Sequence, residues 1–147
     1  MTDTAHPTVS GLVDGWLELW NGEYGGADSL IAPDFRIHAA LLDGADSGGM
    51  AGPAGTVAWI KQIRAPLPDL AFTIEVGPIV QNDHVALRWQ AEGHYAGGFP
   101  GAAAPIGTRV RFTGTDLLRV HDDRLVEYWV NSDVHVLLAS LQVGAVS

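Results

Sequence analysis

Apolar residues near the start of the chain recur every three or four positions, the spacing of an amphipathic helix. This apolar series consists of Val9, Leu12, Val13, Trp16, Leu17 and Trp20. Gly22, Gly25 and Gly26 follow the series and predict the end of the helix. A short helical turn is predicted over Ala27–Ile31, stopped by Pro33.

A strand, a loop and a second long helix are predicted next. The strand covers Asp34–Leu42, and the loop covers Asp43–Gly55, which is rich in Gly, Ala, Asp and Ser. Proline suits the first position of a helix, so the helix is predicted to start near Pro53 and to run to Ala65. The two prolines that follow predict its end.

The remainder of the chain is predicted to be mostly β structure. Four strands are expected, at Leu70–Gln81, Val85–Tyr95, Gly107–His121 and Arg124–Asn131. Polar dipeptides suited to hairpin turns separate the first strand from the second and the third from the fourth. These four strands are therefore expected to pair antiparallel.

A last helix is predicted after the final strand. Its apolar face consists of Val134, Leu137, Leu138 and Leu141, with Ser132 as its cap and Gly144 at its end. Helices segregated from an antiparallel sheet define an α+β fold. A curved sheet closed by helices on one side leaves a cone with one open end, which suits a small-molecule pocket.

Length and composition narrow the class of protein. The 147 residues fit a single domain, 1–147, and residues 1–6 are expected to form a flexible tail. The formal net charge of −9 would repel a phosphate backbone, which argues against nucleic-acid binding. The chain has no cysteine, which excludes disulfides and thiol catalysis. No apolar run spans a bilayer and no secretion signal is recognisable, so a cytoplasmic protein without membrane contact is expected.

Alternation along the strands assigns side chains to the two faces of the sheet. On the last strand Leu125, Glu127 and Trp129 are expected on one face, opposite Tyr128. On the second strand one face is expected to carry Arg88, Gln90, Glu92 and His94. Alternation alone leaves open which face is inward.

A set of short motifs carries a family resemblance. In chain order they are Pro66–Leu70, Val85–Trp89, Gly93-His94, Pro105–Gly107, Gly114–Arg119, Leu125–Trp129 and Leu141–Gly144. In this order and spacing they resemble the SnoaL-like polyketide cyclases of the NTF2-like superfamily. The chain departs from the family in two motifs. It has Glu92-Gly93-His94 where the family usually has Gly-Thr-His, and Pro105-Ile106-Gly107 where the family usually has Pro-Thr-Gly.

The resemblance implies an NTF2-like cone with three to four helices and leaves three functions open. The leading hypothesis is a cofactor-independent cyclase that closes a ring in a small, apolar, oxygenated intermediate by aldol chemistry or epoxide opening. The second is a non-catalytic ligand-binding or assembly module. The third is a proton transfer like that of ketosteroid isomerase or a dehydratase. The family also implies a homodimer or higher homo-oligomer, paired through the outer face of the sheet.

Glu127 is the first candidate for the acid-base residue. It lies beside Trp129 in an apolar strand, where desolvation would raise the pKa of its carboxyl group towards the range of a proton shuttle. The resemblance also points to an acidic residue on this strand. The alternative is a structural ion pair with Arg88 or Arg119.

Five further polar residues are candidates for the site. His94 stands at the histidine of the family motif, and His38 lies in the first predicted strand. Both imidazoles can exchange a proton near neutral pH. Asp133 is a catalytic candidate by the resemblance, with helix capping as its alternative. Arg88 is expected to bind an enolate oxygen of the substrate. Asp116 alternates with apolar residues along its strand, so it is expected to point inward and bind substrate. The histidines show no pair at metal-ligand spacing, so neither a metal nor a cofactor is expected.

Aromatic residues are candidates to line a pocket for a flat, apolar ligand. The predicted substrate-binding set is Trp16, Trp20, Phe35, Trp59 and Trp129. Tryptophans suit an ordinary core equally well, and a core role is expected for most of them.

Overall fold

Four helices and five strands make up the part of the chain that the computed structural model describes, residues 5–39 and 52–144. In chain order they are α1 (Ala5–Trp20), α2 (Ala27–Leu30), β1 (Ile31–His38), α3 (Gly52–Arg64), β2 (Ala71–Gln81), β3 (His84–His94), β4 (Arg109–His121), β5 (Arg124–Ser132) and α4 (Val134–Ser140).

The five strands form one curved sheet in the order β1-β5-β4-β3-β2. β2 to β5 pair antiparallel, as predicted from the two hairpin turns. β1 instead pairs parallel with β5 at one edge of the sheet, a pairing that the sequence did not predict. The predicted α+β fold is confirmed, with a mixed sheet packed against helices.

Several boundaries of helices and strands in the first half of the chain differ from the predicted ones. α1 begins at Ala5, within the tail predicted over residues 1–6, and residues 1–4 lie outside the described part. Pro33 lies within β1 rather than before it, because an edge strand tolerates the missing N–H. The end of the strand predicted over Asp34–Leu42 lies outside the described residues, as does most of the loop that follows. The start of α3 at Gly52 confirms the helix start predicted near Pro53, so the last four residues of the predicted loop belong to the helix.

The start of α4 also differs from the prediction. Asp133, not Ser132, occupies the N-cap position, and its side chain makes no capping hydrogen bond. Its carboxylate instead accepts a hydrogen bond from the hydroxyl of Thr113 on β4, at 2.6 Å. This contact attaches the start of the last helix to the sheet.

The core lies between the concave face of the sheet and the helices. α1 contributes five buried side chains, Leu12, Val13, Trp16, Leu19 and Trp20. The alternation predicted for β3 is confirmed, because Leu87, Trp89 and Ala91 are buried while Arg88 points away from the core. None of the helices in the described ranges is long and apolar enough to cross a bilayer.

A β-bulge near the start of β5 breaks the predicted alternation. Arg119 pairs with Glu127, but the next residue of β4 pairs with Leu125, so β5 carries one extra residue there. As a result Leu125 and Tyr128 are both buried on the concave face. The prediction that Leu125 and Glu127 share a face is therefore wrong, while Glu127 and Trp129 do share the convex face.

Gly114 on β4 makes room for the indole of Trp89, its partner on β3. A Cβ atom at position 114 would lie 2.2 Å from Cζ2 of Trp89, far inside van der Waals contact. The absence of a side chain lets the indole lie across β4 towards Asp116, two residues further along the same face.

We expect Gly114→Ala to destabilise the protein by about 1–3 kcal/mol, because the indole must leave its place in a packed core. Urea denaturation measures this change. Gly55→Ala in α3 is the control, since a Cβ there meets no atom within 4 Å. Alanine favours the helix, so that variant should be more stable by about 0.5–1 kcal/mol. Unchanged stability of Gly114→Ala would contradict the packing argument.

Candidate active site inside the cone

Asp116 is a buried carboxylate in the middle of the concave face, with only 3% of the residue exposed. Its Oδ1 accepts hydrogen bonds from Nε1 of Trp89 at 2.8 Å and from the hydroxyl of Tyr128 at 3.1 Å. Its Oδ2 accepts one from Nε1 of Trp16 at 3.0 Å. Three elements, α1, β3 and β5, thus each send one neutral donor to this carboxylate on β4.

Burial raises the pKa of Asp116 to about 6, although the three hydrogen bonds from Trp16, Trp89 and Tyr128 lower it. Neutral donors only partly replace the water that a carboxylate loses on burial. Burial, with the adjacent charge of Asp116, raises the pKa of Tyr128 well above its ordinary range. Tyr128 therefore stays a neutral donor, and Asp116 is the group that gains and loses a proton near neutral pH.

Aromatic rings enclose this carboxylate. Trp16 packs on Tyr128 with ring centroids 4.7 Å apart, and Trp20 packs on Trp16 at 5.9 Å. Trp59 lies against both Trp20 and Tyr128, at 5.4 and 6.3 Å. Phe35 lies 6.0 Å from Trp16. Four of the five aromatic residues predicted to bind substrate are thus together in the interior.

Trp129, the fifth of them, lies on the convex face instead. His38 stacks on its indole with ring centroids 5.2 Å apart and an interplanar angle of 13°. Trp129 follows Tyr128 directly in an extended strand, so the two rings point to opposite sides of the sheet. Trp129 does not line the interior.

Glu127 lies on the convex face in a network of hydrogen-bonded charges. Its Oε2 is 2.7 Å from Nε2 of His38, and its Oε1 accepts a hydrogen bond from Nε of Arg119 at 3.0 Å. The imidazole beside Glu127 is thus His38 and not His94. The ion pair with Arg119 that the sequence offered as an alternative is present.

The expectation of a raised pKa for Glu127 is wrong. Desolvation does raise the pKa of Glu127, but hydrogen bonds from His38 and Arg119 and their charges outweigh it and hold the pKa below its ordinary value. A carboxylate held ionised in this way is a weak proton acceptor at neutral pH. Its catalytic role stays a prediction, now without the electrostatic support expected for it.

His94, at the end of β3, makes two hydrogen-bond contacts with Asp69. Asp69 accepts one hydrogen bond from the backbone N–H of His94 at 2.8 Å and contacts its Nδ1 at 2.7 Å. A Cβ at Gly93 would lie 2.9 Å from the Asp69 carboxylate, so glycine permits this approach. The hydrogen bond from the backbone of His94, followed by that from its ring, lowers the pKa of Asp69. The pair is exposed, outside the aromatic interior, and ties the segment before β2 to β3.

The other polar candidates also lie away from Asp116. Arg88 is exposed on the convex face, 3.4 Å from Glu75, and donates to the hydroxyl of Thr113. Asp133 accepts from the same hydroxyl, at the start of α4. Of the predicted polar site residues, Asp116 alone reaches the interior.

Sequence reasoning missed the partners of Asp116. Trp89 and Tyr128 carry two of its three hydrogen bonds, yet neither belonged to the predicted site. The signal available was the position of Asp116 on the apolar face of its strand, with Leu118 two residues further on. The partners depend on register between strands, which one sequence does not reveal.

Other features of the described surface do not form an alternative site. A groove of about 450 Å³ lies beside the two hairpin turns and Val9, and a second of about 340 Å³ lies beside α3. Neither reaches Asp116. Within residues 5–39 and 52–144 no three His, Asp or Glu side chains are grouped closely enough to hold a metal ion.

Comparison with known proteins assigns this arrangement to a family. The family model of SnoaL-like polyketide cyclases matches residues 11–141, so the chain belongs to that family. No curated protein matches the chain in sequence.

Solved structures share the fold. IdmH from Streptomyces antibioticus, for which a polyketide cyclase activity is proposed, is 31% identical with a TM-score of 0.77, over 91% of this chain and 98% of its own. TsrD from Streptomyces laurentii is 23% identical with a TM-score of 0.76, over 99% and 100%. AclR from Streptomyces galilaeus, for which a hydroxylase activity is proposed, is 23% identical with a TM-score of 0.70, over 92% and 93%.

We expect the raised pKa of Asp116 to make the protein less stable as pH rises from about 4 to above 6. The folded state binds the proton more tightly than the unfolded state, whose carboxyl has a pKa near 3.8, so stability is lost between the two values. The loss amounts to about 3 kcal/mol. Urea denaturation of the wild type and Asp116→Asn across this range measures it, since the variant lacks the titrating group. A constant difference between the two proteins would contradict the burial argument.

Proposed function

We propose that the protein is a cofactor-independent cyclase that uses Asp116 as its acid-base group on a small, apolar, oxygenated polyketide-like intermediate. The observation that supports this most directly is a buried carboxylate enclosed by aromatic rings, where burial raises its pKa to about 6. A group with such a pKa can both take and return a proton near neutral pH. Membership of the SnoaL-like polyketide cyclase family supports the type of reaction.

The hydrogen bonds of Asp116 leave it one site for a proton. A carboxylate offers four lone-pair positions, two on each oxygen. Oδ1 accepts two hydrogen bonds and Oδ2 accepts one, so a lone pair of Oδ2 stays free. The three donors also hold the carboxylate in one orientation, which favours transfer along a single direction.

Asp116 can carry both proton transfers of an aldol ring closure. Asp116 takes a proton from the carbon next to one carbonyl of the substrate, and the enolate carbon attacks a second carbonyl of the same molecule. The new carbon–carbon bond leaves an alkoxide, which takes the proton back from Asp116. The apolar rings favour a folded substrate, whose reacting atoms lie close together.

Substrate must displace side chains to reach Asp116, because the carboxylate is closed off from solvent in the described state. Trp59 is the half-buried ring that contacts both Trp20 and Tyr128. We therefore assign entry to the side of the cone that Trp59 covers.

Two other functions remain in the proposal as alternatives. The positions of Glu127 and His94 on the outside of the cone favour a non-catalytic binding module, unless Asp116 supplies the chemistry. An isomerase-like proton transfer would use the same carboxylate without closing a ring. Catalysis by Asp116 would therefore exclude the non-catalytic binding module, and formation of a ring would exclude the isomerase-like proton transfer.

Ring closure of heptane-2,6-dione to 3-hydroxy-3-methylcyclohexanone tests the role of Asp116, and chemical loss of water from this product in the assay gives an absorbing enone. We expect Asp116→Asn to reduce kcat/KM by roughly 100-fold or more, the usual loss for a general base. Glu127→Gln is the matched control and should stay within a few-fold of the wild type. Because the ionised form of Asp116 is the base, kcat/KM should rise with pH up to about 6 and then level off. Full activity of Asp116→Asn would overturn the proposal, and loss of activity in Glu127→Gln would restore the role predicted from sequence.

We further propose that two copies pair through the convex face of the sheet. That face carries Arg36, Arg88, Arg109, Arg111 and Arg119, five of the eight basic residues in a chain of net charge −9. Glu75, Glu92 and Glu127 partly neutralise them. The remaining surface is therefore strongly acidic and self-repelling, and the convex face is where two copies meet with least repulsion.

Light scattering tests this pairing. We expect a species of twice the 15.6 kDa chain mass in moderate salt. A mass of 15.6 kDa at every protein concentration would exclude the pairing.

A further inference from the structure

The indole N–H of Trp20 is a buried donor without an acceptor. Only 7% of the residue is exposed, and within the described part of the chain Nε1 of Trp20 is the buried side-chain polar atom that has no hydrogen-bond partner. The other buried donors of the chamber, on Trp16, Trp89 and Tyr128, all bond to Asp116. An unpaired buried donor is unfavourable, so this one calls for an explanation.

Trp20 is held in place by contacts on both sides of its backbone. Its carbonyl accepts a hydrogen bond from Nη1 of Arg64 at 2.8 Å. The next residue, Asn21, exchanges two hydrogen bonds with the backbone of Phe72, at 2.6 and 3.2 Å. The end of α1 is thus fixed to the end of α3 and to β2. The backbone that carries the indole is therefore fixed on both sides of Trp20.

Trp20 also belongs to the chamber of Asp116. Its ring packs on Trp16, which bonds to Asp116, and on Trp59, which lies against Tyr128. Phe72 covers another side at 5.3 Å. The unpaired N–H therefore lies among the apolar rings that enclose Asp116, where a hydrogen bond to a ligand would be shielded from water.

We propose that Trp20 determines specificity by donating a hydrogen bond to a carbonyl oxygen of the substrate. An indole N–H only donates, so the ligand group must be an acceptor. A single neutral donor in an apolar wall suits a neutral carbonyl and does not compensate the desolvation of an anion. The inference rests on the proposed function in taking the cone as the ligand chamber. The inference adds that an analogue without the carbonyl oxygen binds less tightly than the ligand that carries it.

A cycle of two probes and two proteins tests this proposal. The probes are 1-tetralone and tetralin, which share a bicyclic skeleton and differ in the carbonyl group. We expect the wild type to bind 1-tetralone about tenfold more tightly than tetralin, the usual worth of one such hydrogen bond. Trp20→Phe keeps an aromatic ring without the donor and should lose this preference. Trp129→Phe, on the convex face, is the control and should keep it.

Indole N–H resonances in the wild type give a second measurement, in which the variant serves only for assignment. The resonance that is absent from the spectrum of Trp20→Phe belongs to Trp20, and 1-tetralone but not tetralin should move it downfield in the wild type. Equal affinity for the two probes, a preference that persists in Trp20→Phe, or an unmoved Trp20 resonance on binding would each overturn the proposal while leaving the cyclase proposal intact. Failure of both probes to bind the wild type would count against the chamber itself, and so against both proposals.

Discussion

The buried carboxylate of Asp116 is the interaction on which the interior depends. Removing a carboxylate from water is costly unless hydrogen bonds replace its hydration. Here the three donors come from α1, β3 and β5, and Trp16 is 100 residues away from Asp116 in the chain. The need to satisfy one group therefore specifies how the first helix docks on the sheet, something that apolar packing alone does with less precision.

Those hydrogen bonds depend in turn on packing. The Trp89 indole reaches Asp116 because its partner on β4 is Gly114, which leaves the necessary space. The Tyr128 hydroxyl reaches it because Tyr128 pairs with Leu118 and so lies on the same face of the sheet as Asp116. A missing side chain on β4 and the register of β5 thus position two of the three donors of Asp116.

The sequence predicted the architecture better than the chemistry. Periodicity located the helices and the two hairpins, since these depend on neighbours along the chain. The parallel pairing of β1 with β5 joins residues such as Ile31 and Leu125, far apart in sequence, and no local pattern encodes it. The bulge was not predicted for a similar reason, because an extra residue is detected only by comparison with the partner strand. Asp116 was recognised by its place in an apolar pattern, but Trp89 and Tyr128 were not recognised as its partners.

The sheet separates two chemically similar carboxylates, those of Glu127 and Asp116, which lie in opposite environments. Glu127 on the convex face meets two basic side chains, which stabilise its charged form and lower its pKa despite the desolvation. Asp116 on the concave face meets only neutral donors, and burial raises its pKa. A proton is exchanged readily near neutral pH only where neither protonation state is strongly stabilised. That condition holds for Asp116, so we place the proposed acid-base chemistry on the concave face and the proposed contact between chains on the convex face.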